Sequence, residues 1–200
     1  GLDTLRVEQR VQDSIRRLER AMLGTIEAVT LMSELRDPYT AGHKHRVGEL
    51  AAALGAELGL GEETIKGLGI IGRVHDIGKI TIPAEILSKP GRLSPLEFEM
   101  IKTHVRQGYE ILRHADFPWP VAEAILQHHE RLDGSGYPQG LRGEQIGLEA
   151  RIVAVADVVE AMASHRPYRP GRGVEAALAE ISEFSGVRYD PAVAAACLRL

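Results

Sequence analysis

Hydrophobic positions recur every three or four residues along most of the 200-residue chain, and no segment alternates convincingly with a period of two. Residues 3–36 show this most clearly, because their apolar positions are separated alternately by four and three residues. The members of this seam are Val11, Ile15, Leu18, Met22, Thr25, Val29 and Met32. The pattern predicts one long helix that either packs on its own domain or pairs in a parallel coiled coil. We expect pairing in the first half and packing on the domain from about Met22.

The remaining helical spacing predicts a bundle. Further helices are expected over residues 39–58, 62–76, 95–113, 120–130, 148–163, 174–184 and 191–199, with a short connector at 80–87. The start at residue 95 is well defined, because Ser94 and Glu97 form a capping box with proline between them. The helix over 148–163 is small and apolar nearly all round except at Asp157, so it should be central and buried. The predicted fold is all-α, with a long coiled-coil-like helix (residues 1–35) preceding a globular domain (residues 36–200).

Composition narrows the class of protein. Hydrophobic residues make up 44% of the chain but aromatic residues only 4%, so the core should consist of Ala, Leu, Ile and Val, as in helical domains. The formal net charge of −4 argues against DNA binding. Cys197 is the single cysteine, so no intramolecular disulfide is possible and a reducing, cytoplasmic location is expected. No apolar run approaches the roughly 18 residues of a membrane span.

The segment 74–80 places His75 and Asp76 together in an otherwise apolar run. An unpaired carboxylate taken out of water costs several kcal/mol, so Asp76 needs a partner. Either a divalent metal supplies it, or Asp76 caps a helix and His75 is a satisfied core residue. Gly78 permits close backbone approach, and Lys79, one turn further on, carries a charge suited to phosphate.

Other metal-ligating side chains stand at helix ends or alone in apolar helices. With the first pair, the candidates are His43, His75, Asp76, His104, His128, His129 and Asp157. A lone buried histidine is more often a core residue than a ligand, but this joint pattern favours a metal site between facing helices. Imidazole and carboxylate suit iron, manganese, zinc or nickel, and the lack of thiolates argues against structural zinc. Seven ligands exceed the needs of one ion, so two metals bridged by Asp76 are expected.

The remaining polar features are weaker signals. Residues 131–147 form a glycine-rich loop that is too long for a plain connector, so a functional loop is expected. His45 and His114 are expected on the surface, and the sequence leaves the position of His165 open.

These motifs together resemble a known family. The matching runs are RDPYTAGH at 36–43, HDIGK at 75–79, KTH at 102–104, HHERLDGSGYP at 128–138, Ala-Asp at 156–157 and RPYR at 166–169. They resemble the HD-GYP domains, a branch of the HD superfamily of metal-dependent phosphohydrolases that degrade cyclic di-GMP. The resemblance covers residues 30–198, and it implies an HD-type helical bundle.

The resemblance also implies the ligand assignment. One metal would be held by His43, His75, Asp76 and Asp157, and Asp76 would bridge to a second held by His104, His128 and His129. Iron or manganese is most expected, with magnesium, nickel or zinc as alternatives. Some members bind a third metal through a glutamate four residues before the first histidine. That position is Tyr39 here, so two metals are expected.

For the substrate, the resemblance implies hydrolysis of cyclic di-GMP to pGpG or GMP. Lys79 would contact the scissile phosphate, and Arg166 and Arg169 would hold substrate phosphates. Tyr137 would line the pocket or stack on guanine, although its loop is also a possible docking surface for a signalling protein. Two alternatives remain: a non-catalytic nucleotide- or partner-binding module, and an HD phosphohydrolase acting on another cyclic dinucleotide.

In this family an N-terminal helix usually connects a sensor or receiver domain to the catalytic domain. The resemblance therefore implies an upstream regulatory domain, with the enzyme as a signalling output. The heptad seam predicts a homodimer formed through residues 1–35.

Overall fold

The computed structural model describes residues 2–37, 40, 42–164 and 171–200, which form an α-helical bundle. The helices are α1 (Leu2–Arg36), α2 (His43–Glu57), α3 (Glu62–Val74), α4 (Ala84–Leu87), α5 (Pro95–Lys102), α6 (His104–Leu112), α7 (Val121–Gln127), α8 (Leu148–Ala163), α9 (Val174–Glu183) and α10 (Pro191–Arg199). Short 3-10 segments lie at Ile77–Thr81 and Gly143–Gln145. Only isolated β-bridges occur in this part of the chain, so the all-α prediction is confirmed.

Helix α8 is the centre of the bundle. It packs against α2, α3, α7, α9 and α10, and its small apolar side chains allow this many neighbours. Ile152, Val153 and Val155 are fully buried, as the sequence predicted. None of the described helices is long and apolar enough to cross a membrane.

The two halves of α1 differ in environment. In the second half Ile26, Thr30 and Ser33 are buried, and the helix contacts α3 and the 3-10 segment Ile77–Thr81. In the first half Ile15 and Leu18 are exposed by 44% and 72%. Packing of the second half on the domain agrees with the sequence analysis. The coiled coil formed by the first half stays a prediction.

Helix α2 begins at His43, four residues later than predicted. Before it, Thr40 and Gly42 are bound to the end of α1: the Asp37 carbonyl accepts a hydrogen bond from the Thr40 backbone N–H at 3.0 Å, and the Glu34 carboxylate accepts one from the Gly42 N–H at 3.1 Å. His43 follows directly as the first residue of α2.

The helix predicted over 95–113 is divided into α5 and α6. The capping box at Ser94 is present as predicted. At Thr103, however, both the backbone N–H and the hydroxyl donate to the Met100 carbonyl, at 3.1 and 2.6 Å, which tightens the turn. His104 therefore opens a new helix. The predicted connector at 80–87 is also wrong in part, since it contains the end of a 3-10 segment and helix α4.

Two close backbone contacts bring these helices together. Gly48 of α2 faces Gly72 of α3, where an added Cβ on Gly72 would lie 2.6 Å from the Gly48 Cα. At Gly78 an added Cβ would lie 1.8 Å from the His104 carbonyl oxygen. The second contact holds the His75-Asp76 segment against α6, so the expected close approach at Gly78 is confirmed.

Replacing Gly78 by alanine should lower the free energy of unfolding by roughly 1–3 kcal/mol or more, because the methyl group overlaps backbone that cannot rotate away. Gly24→Ala is the control: its Cβ meets no atom within 4 Å, and it should raise stability by about 0.5–1 kcal/mol through helix propensity. Urea unfolding measures both. Equal stability of Gly78→Ala and the wild type would contradict the close contact.

Candidate metal centre

The seven sequence-predicted ligands converge in the bundle core from the ends of four helices and the middle of a fifth. His43 opens α2, His75 and Asp76 follow α3, His104 opens α6, and His128 and His129 follow α7. Asp157 lies in the middle of α8. The ligand atoms form two groups, Asp76 with His104, His128 and His129, and His43 with His75 and Asp157. Within each group all ligand atoms lie within 4.8 Å of one another.

The Asp76 carboxylate faces both groups. Its Oδ1 lies 3.3 Å from Nε2 of His104, in its own group, and its Oδ2 lies 3.5 Å from Nε2 of His75, in the other group. The Asp157 carboxylate contacts both histidines of the second group, because its Oδ1 lies 3.2 Å from Nε2 of His43 and 3.5 Å from Nε2 of His75. Asp76 is thus placed to share one oxygen with each group.

Three of the histidines are oriented by the same local contact. Nδ1–H donates to the backbone carbonyl three residues earlier in His75, His104 and His128, at 2.6, 2.7 and 2.6 Å. Nε2 of each ring is buried and has no hydrogen-bond partner among the residues that the structure describes. A neutral Nε2 that faces a carboxylate oxygen at 3.3–3.5 Å is unfavourable unless a cation lies between them. The residues present therefore fit divalent metal ions.

The pKa shifts of His128, His129 and Asp76 also suit these residues to bind metal ions. Burial lowers the pKa of His128 to about 3, and burial and the neighbouring His128 hold the pKa of His129 well below its usual value. For Asp76, burial raises the pKa, but the Lys79 and His75 charges outweigh it and the pKa falls well below 3.8. At neutral pH His128 and His129 are accordingly neutral imidazoles and Asp76 is an ionised carboxylate, which are the protonation states that bind metals.

His43 has a carboxylate partner that the sequence analysis missed. Its Nδ1–H donates to Glu160, which also accepts hydrogen bonds from Arg46 Nε and the Ser164 hydroxyl, each at 2.5 Å. Burial lowers the pKa of His43, but Asp157 and Glu160 outweigh it and raise the pKa to about 9. The description of α8 as apolar except at Asp157 was therefore wrong. The available signal was the i, i+3 spacing from Asp157 to Glu160, which puts both on one helix face.

Lys79 lies at the partly open side of the centre. Its Nζ donates to Asp76 Oδ2 at 2.7 Å, and 18% of its side chain is exposed. Burial lowers the pKa of Lys79, but Asp76 outweighs it and raises the pKa, so the ammonium stays charged. This charge stands beside the shared carboxylate, where an anionic ligand would enter.

The glycine-rich loop is held beside the metal centre by the carboxylate of Glu130, a role that the sequence analysis did not identify. Glu130 is buried, and it accepts hydrogen bonds from the backbone N–H groups of Gln139 at 2.7 Å and Leu141 at 2.9 Å. The loop places the Tyr137 ring on the His129 ring, with centroids 4.8 Å apart and planes at 16°. Tyr137 consequently covers the outer side of a ligand histidine.

Some residues singled out in the sequence lie outside the described part of the chain, and others differ from expectation in their exposure to solvent. Arg166 and Arg169 lie outside the described residues, as do Tyr39 and His165. His114 is exposed as expected. His45 is only about one-third exposed, because its Nε2 contacts Glu27 at 3.0 Å. Lys44 is fully buried and donates to the Ser33 hydroxyl at 2.6 Å, a contact that local spacing did not reveal.

Comparison with known proteins assigns the family. A model described as HD domain matches residues 27–193. The chain is 41% identical over 196 residues to a "Cyclic di-GMP phosphodiesterase" of Thermotoga maritima, covering 97% of this chain and 53% of that protein. It is 45% identical over 136 residues to "3'3'-cGAMP-specific phosphodiesterase 1" of Vibrio cholerae, covering 68% and 32%. Among solved structures, the HDG"Y"P protein Bd1817 from Bdellovibrio bacteriovorus has a TM-score of 0.63 at 21% identity, covering 78% of this chain and 50% of that one.

The chain therefore belongs to the HD domain family, in the HD-GYP branch that its motifs indicated. Proteins of this family are phosphohydrolases that use divalent metals, and the clustered histidines and aspartates here could hold such ions. The chain spans about half the length of the Thermotoga relative and about a third of the Vibrio relative.

Replacing Glu160 by alanine should weaken divalent metal binding by roughly 10- to 100-fold, because His43 loses the acceptor that orients its ring. Glu160→Gln keeps an acceptor oxygen and should have a smaller effect. The measurement is calorimetric titration of Mn²⁺ into chelator-treated protein. Glu149→Gln, an exchange at the first turn of the same helix, is the control and should bind as the wild type does. Wild-type affinity in Glu160→Ala would show that this carboxylate does not support His43.

Proposed function

We propose that the chain is the catalytic domain of a metal-dependent phosphodiesterase that hydrolyses cyclic di-GMP to pGpG or GMP. The observation that carries the proposal is the Asp76 carboxylate, which faces two adjacent groups of imidazole and carboxylate ligands. The activity that the name of the Thermotoga relative states supports the choice of substrate, since that relative matches nearly the whole of this chain.

In this proposal two divalent ions bind, with iron or manganese preferred for the imidazole-rich ligand set. His43, His75, Asp76 and Asp157 would hold one ion, and Asp76 would share the other with the second group, His104, His128 and His129. When bound, the ions supply charge neutralisation at the phosphodiester and a water nucleophile at neutral pH.

The side chains around the ligands would bind and orient the substrate. Lys79 is charged and partly exposed, so its ammonium would contact the scissile phosphate and stabilise charge on the leaving 3′-oxygen. Tyr137 would line the pocket beside His129. Arg166 and Arg169 would hold phosphates, since guanidinium groups bind phosphate oxygens in pairs. The outer face of the Tyr137 loop would remain free to contact a signalling protein.

The test is metal analysis of anaerobically purified protein together with a cyclic di-GMP turnover assay. The wild type should contain about two iron or manganese ions per chain and should release pGpG or GMP. Asp76→Ala should lose both metals and all hydrolysis, because its carboxylate contacts both groups. Asp116→Ala, at an exposed aspartate, should retain both. Normal metal content and turnover in Asp76→Ala would refute the bridged centre.

The other outcomes separate the alternatives. Two metals without turnover of cyclic di-GMP would indicate another cyclic dinucleotide, such as the 3'3'-cGAMP in the name of the Vibrio relative. No bound metal after anaerobic handling would favour the non-catalytic signalling module.

The proposal includes a regulatory role for residues 1–35, with residues 36–200 as the phosphodiesterase domain. The exposed apolar positions in the first half of α1 would pair with a second copy, and an upstream sensor or receiver domain would act through this helix. A cytoplasmic location is also part of the proposal, and it rests on the single cysteine.

Replacing Ile15 and Leu18 together by glutamate should convert the dimer to a monomer, because both side chains lie on the exposed seam. Light scattering after size-exclusion chromatography measures the mass. Leu35→Glu is the matched control: this residue is 83% exposed but outside the seam, so the dimer should persist. A dimer that survives the double substitution would place the interface elsewhere.

A further inference from the structure

A cleft of about 380 Å³ opens directly beside the metal ligands. His129 forms part of its wall, and so does Val158, which follows Asp157 on α8. The opposite wall comes from Glu180 of α9 and from Arg188 and Tyr189, which precede α10. No role described above uses these three residues, although the cleft shares the ligand His129 with the centre.

The polar groups of the cleft are arranged around one carboxylate. Glu180 Oε1 accepts a hydrogen bond from the Tyr189 hydroxyl at 3.1 Å and lies 3.5 Å from Arg188 Nη1. The Arg188 guanidinium also packs on the Phe184 ring at 3.9 Å. The carboxylate is therefore oriented by two neighbours at the wall of the cleft.

A carboxylate beside a guanidinium matches one nucleobase in particular. Guanine offers a 2-amino donor beside its N1–H and acceptors at O6 and N7, so it can donate to Glu180 and accept from Arg188. Adenine offers one donor, its 6-amino group, beside an acceptor at N1, so it can give the carboxylate one hydrogen bond where guanine gives two. Val158 and the Tyr137 and Tyr189 rings, which also line the cleft, supply apolar and aromatic surface for a base.

We propose that this cleft is a guanine subsite, in which Glu180 and Arg188 determine base specificity. The inference rests on the proposed hydrolysis of a cyclic dinucleotide at the adjacent centre. It goes further by naming the residues that recognise the base.

The test compares Glu180→Gln and Arg188→Met with the control Glu183→Gln, which changes an exposed glutamate of the same helix outside the cleft. For cyclic di-GMP, kcat/KM should fall roughly 10- to 100-fold in the first two variants, mainly through KM, as expected for loss of a paired base contact. Turnover of bis(p-nitrophenyl) phosphate, which has no base, should be unchanged. Inhibition by cyclic di-AMP should weaken less in Glu180→Gln than turnover of cyclic di-GMP does. An equal loss on the base-free substrate, or no loss on cyclic di-GMP, would overturn the subsite.

A second experiment distinguishes failure of the guanine subsite from failure of the proposed hydrolysis. If the wild type hydrolyses no cyclic dinucleotide, calorimetric binding of GMP and AMP to metal-loaded protein tests the subsite alone. GMP binding that is tighter than AMP binding and is weakened only in the cleft variants would support it. Equal binding of GMP by the wild type and Glu180→Gln would overturn it.

Discussion

The centre of the molecule depends on two carboxylates, Asp76 and Asp157, that are ionised in a helical core. Such charges are tolerated only with compensating partners, because desolvation opposes ionisation. Lys79 compensates Asp76 on one side, and His43 compensates Asp157 on the other. Among the described residues, the Nε2 atoms of His75, His104 and His128 have no hydrogen-bond partner, which suits them to bind cations. The surrounding helices are thus arranged around a site that could hold divalent metal ions.

The helix ends explain how a mainly aliphatic bundle can present so many oriented ligands. The last carbonyl groups of a helix have no intrahelical donor. In His75, His104 and His128 the imidazole Nδ1–H satisfies the carbonyl of the residue three positions earlier, near the ends of α3, α5 and α7. One contact therefore satisfies an orphan carbonyl, selects the tautomer and directs Nε2 into the core. His43 is oriented differently, by the Glu160 carboxylate from α8.

The end of α1 is built into the same region. Ser33 accepts a hydrogen bond from the buried Lys44, the residue after His43. Glu34 binds the Gly42 backbone, and Arg36 donates to the Ile82 carbonyl at 3.3 Å, just after the 3-10 segment that contains Lys79. The packed half of α1 thus contacts two of the segments that carry site residues. Its position and the geometry of the centre are linked through direct hydrogen bonds.

The sequence by itself determined the helical class, most helix bounds and all seven candidate ligands, since these follow from local periodicity, capping residues and the isolation of polar side chains in apolar runs. Residue spacing did not show how those ligands divide into groups of four and three, which only the family resemblance implied, because the ligands come from helix ends far apart in the chain. Tertiary structure alone decided that Glu160 supports His43, that Lys44 is buried and that Glu180 and Arg188 form a cleft beside His129. These three features depend on contacts between elements that are distant in the chain. The sequence does not reveal such contacts, because a polar residue of a helix has the same neighbours in sequence whether its side chain faces water or another helix.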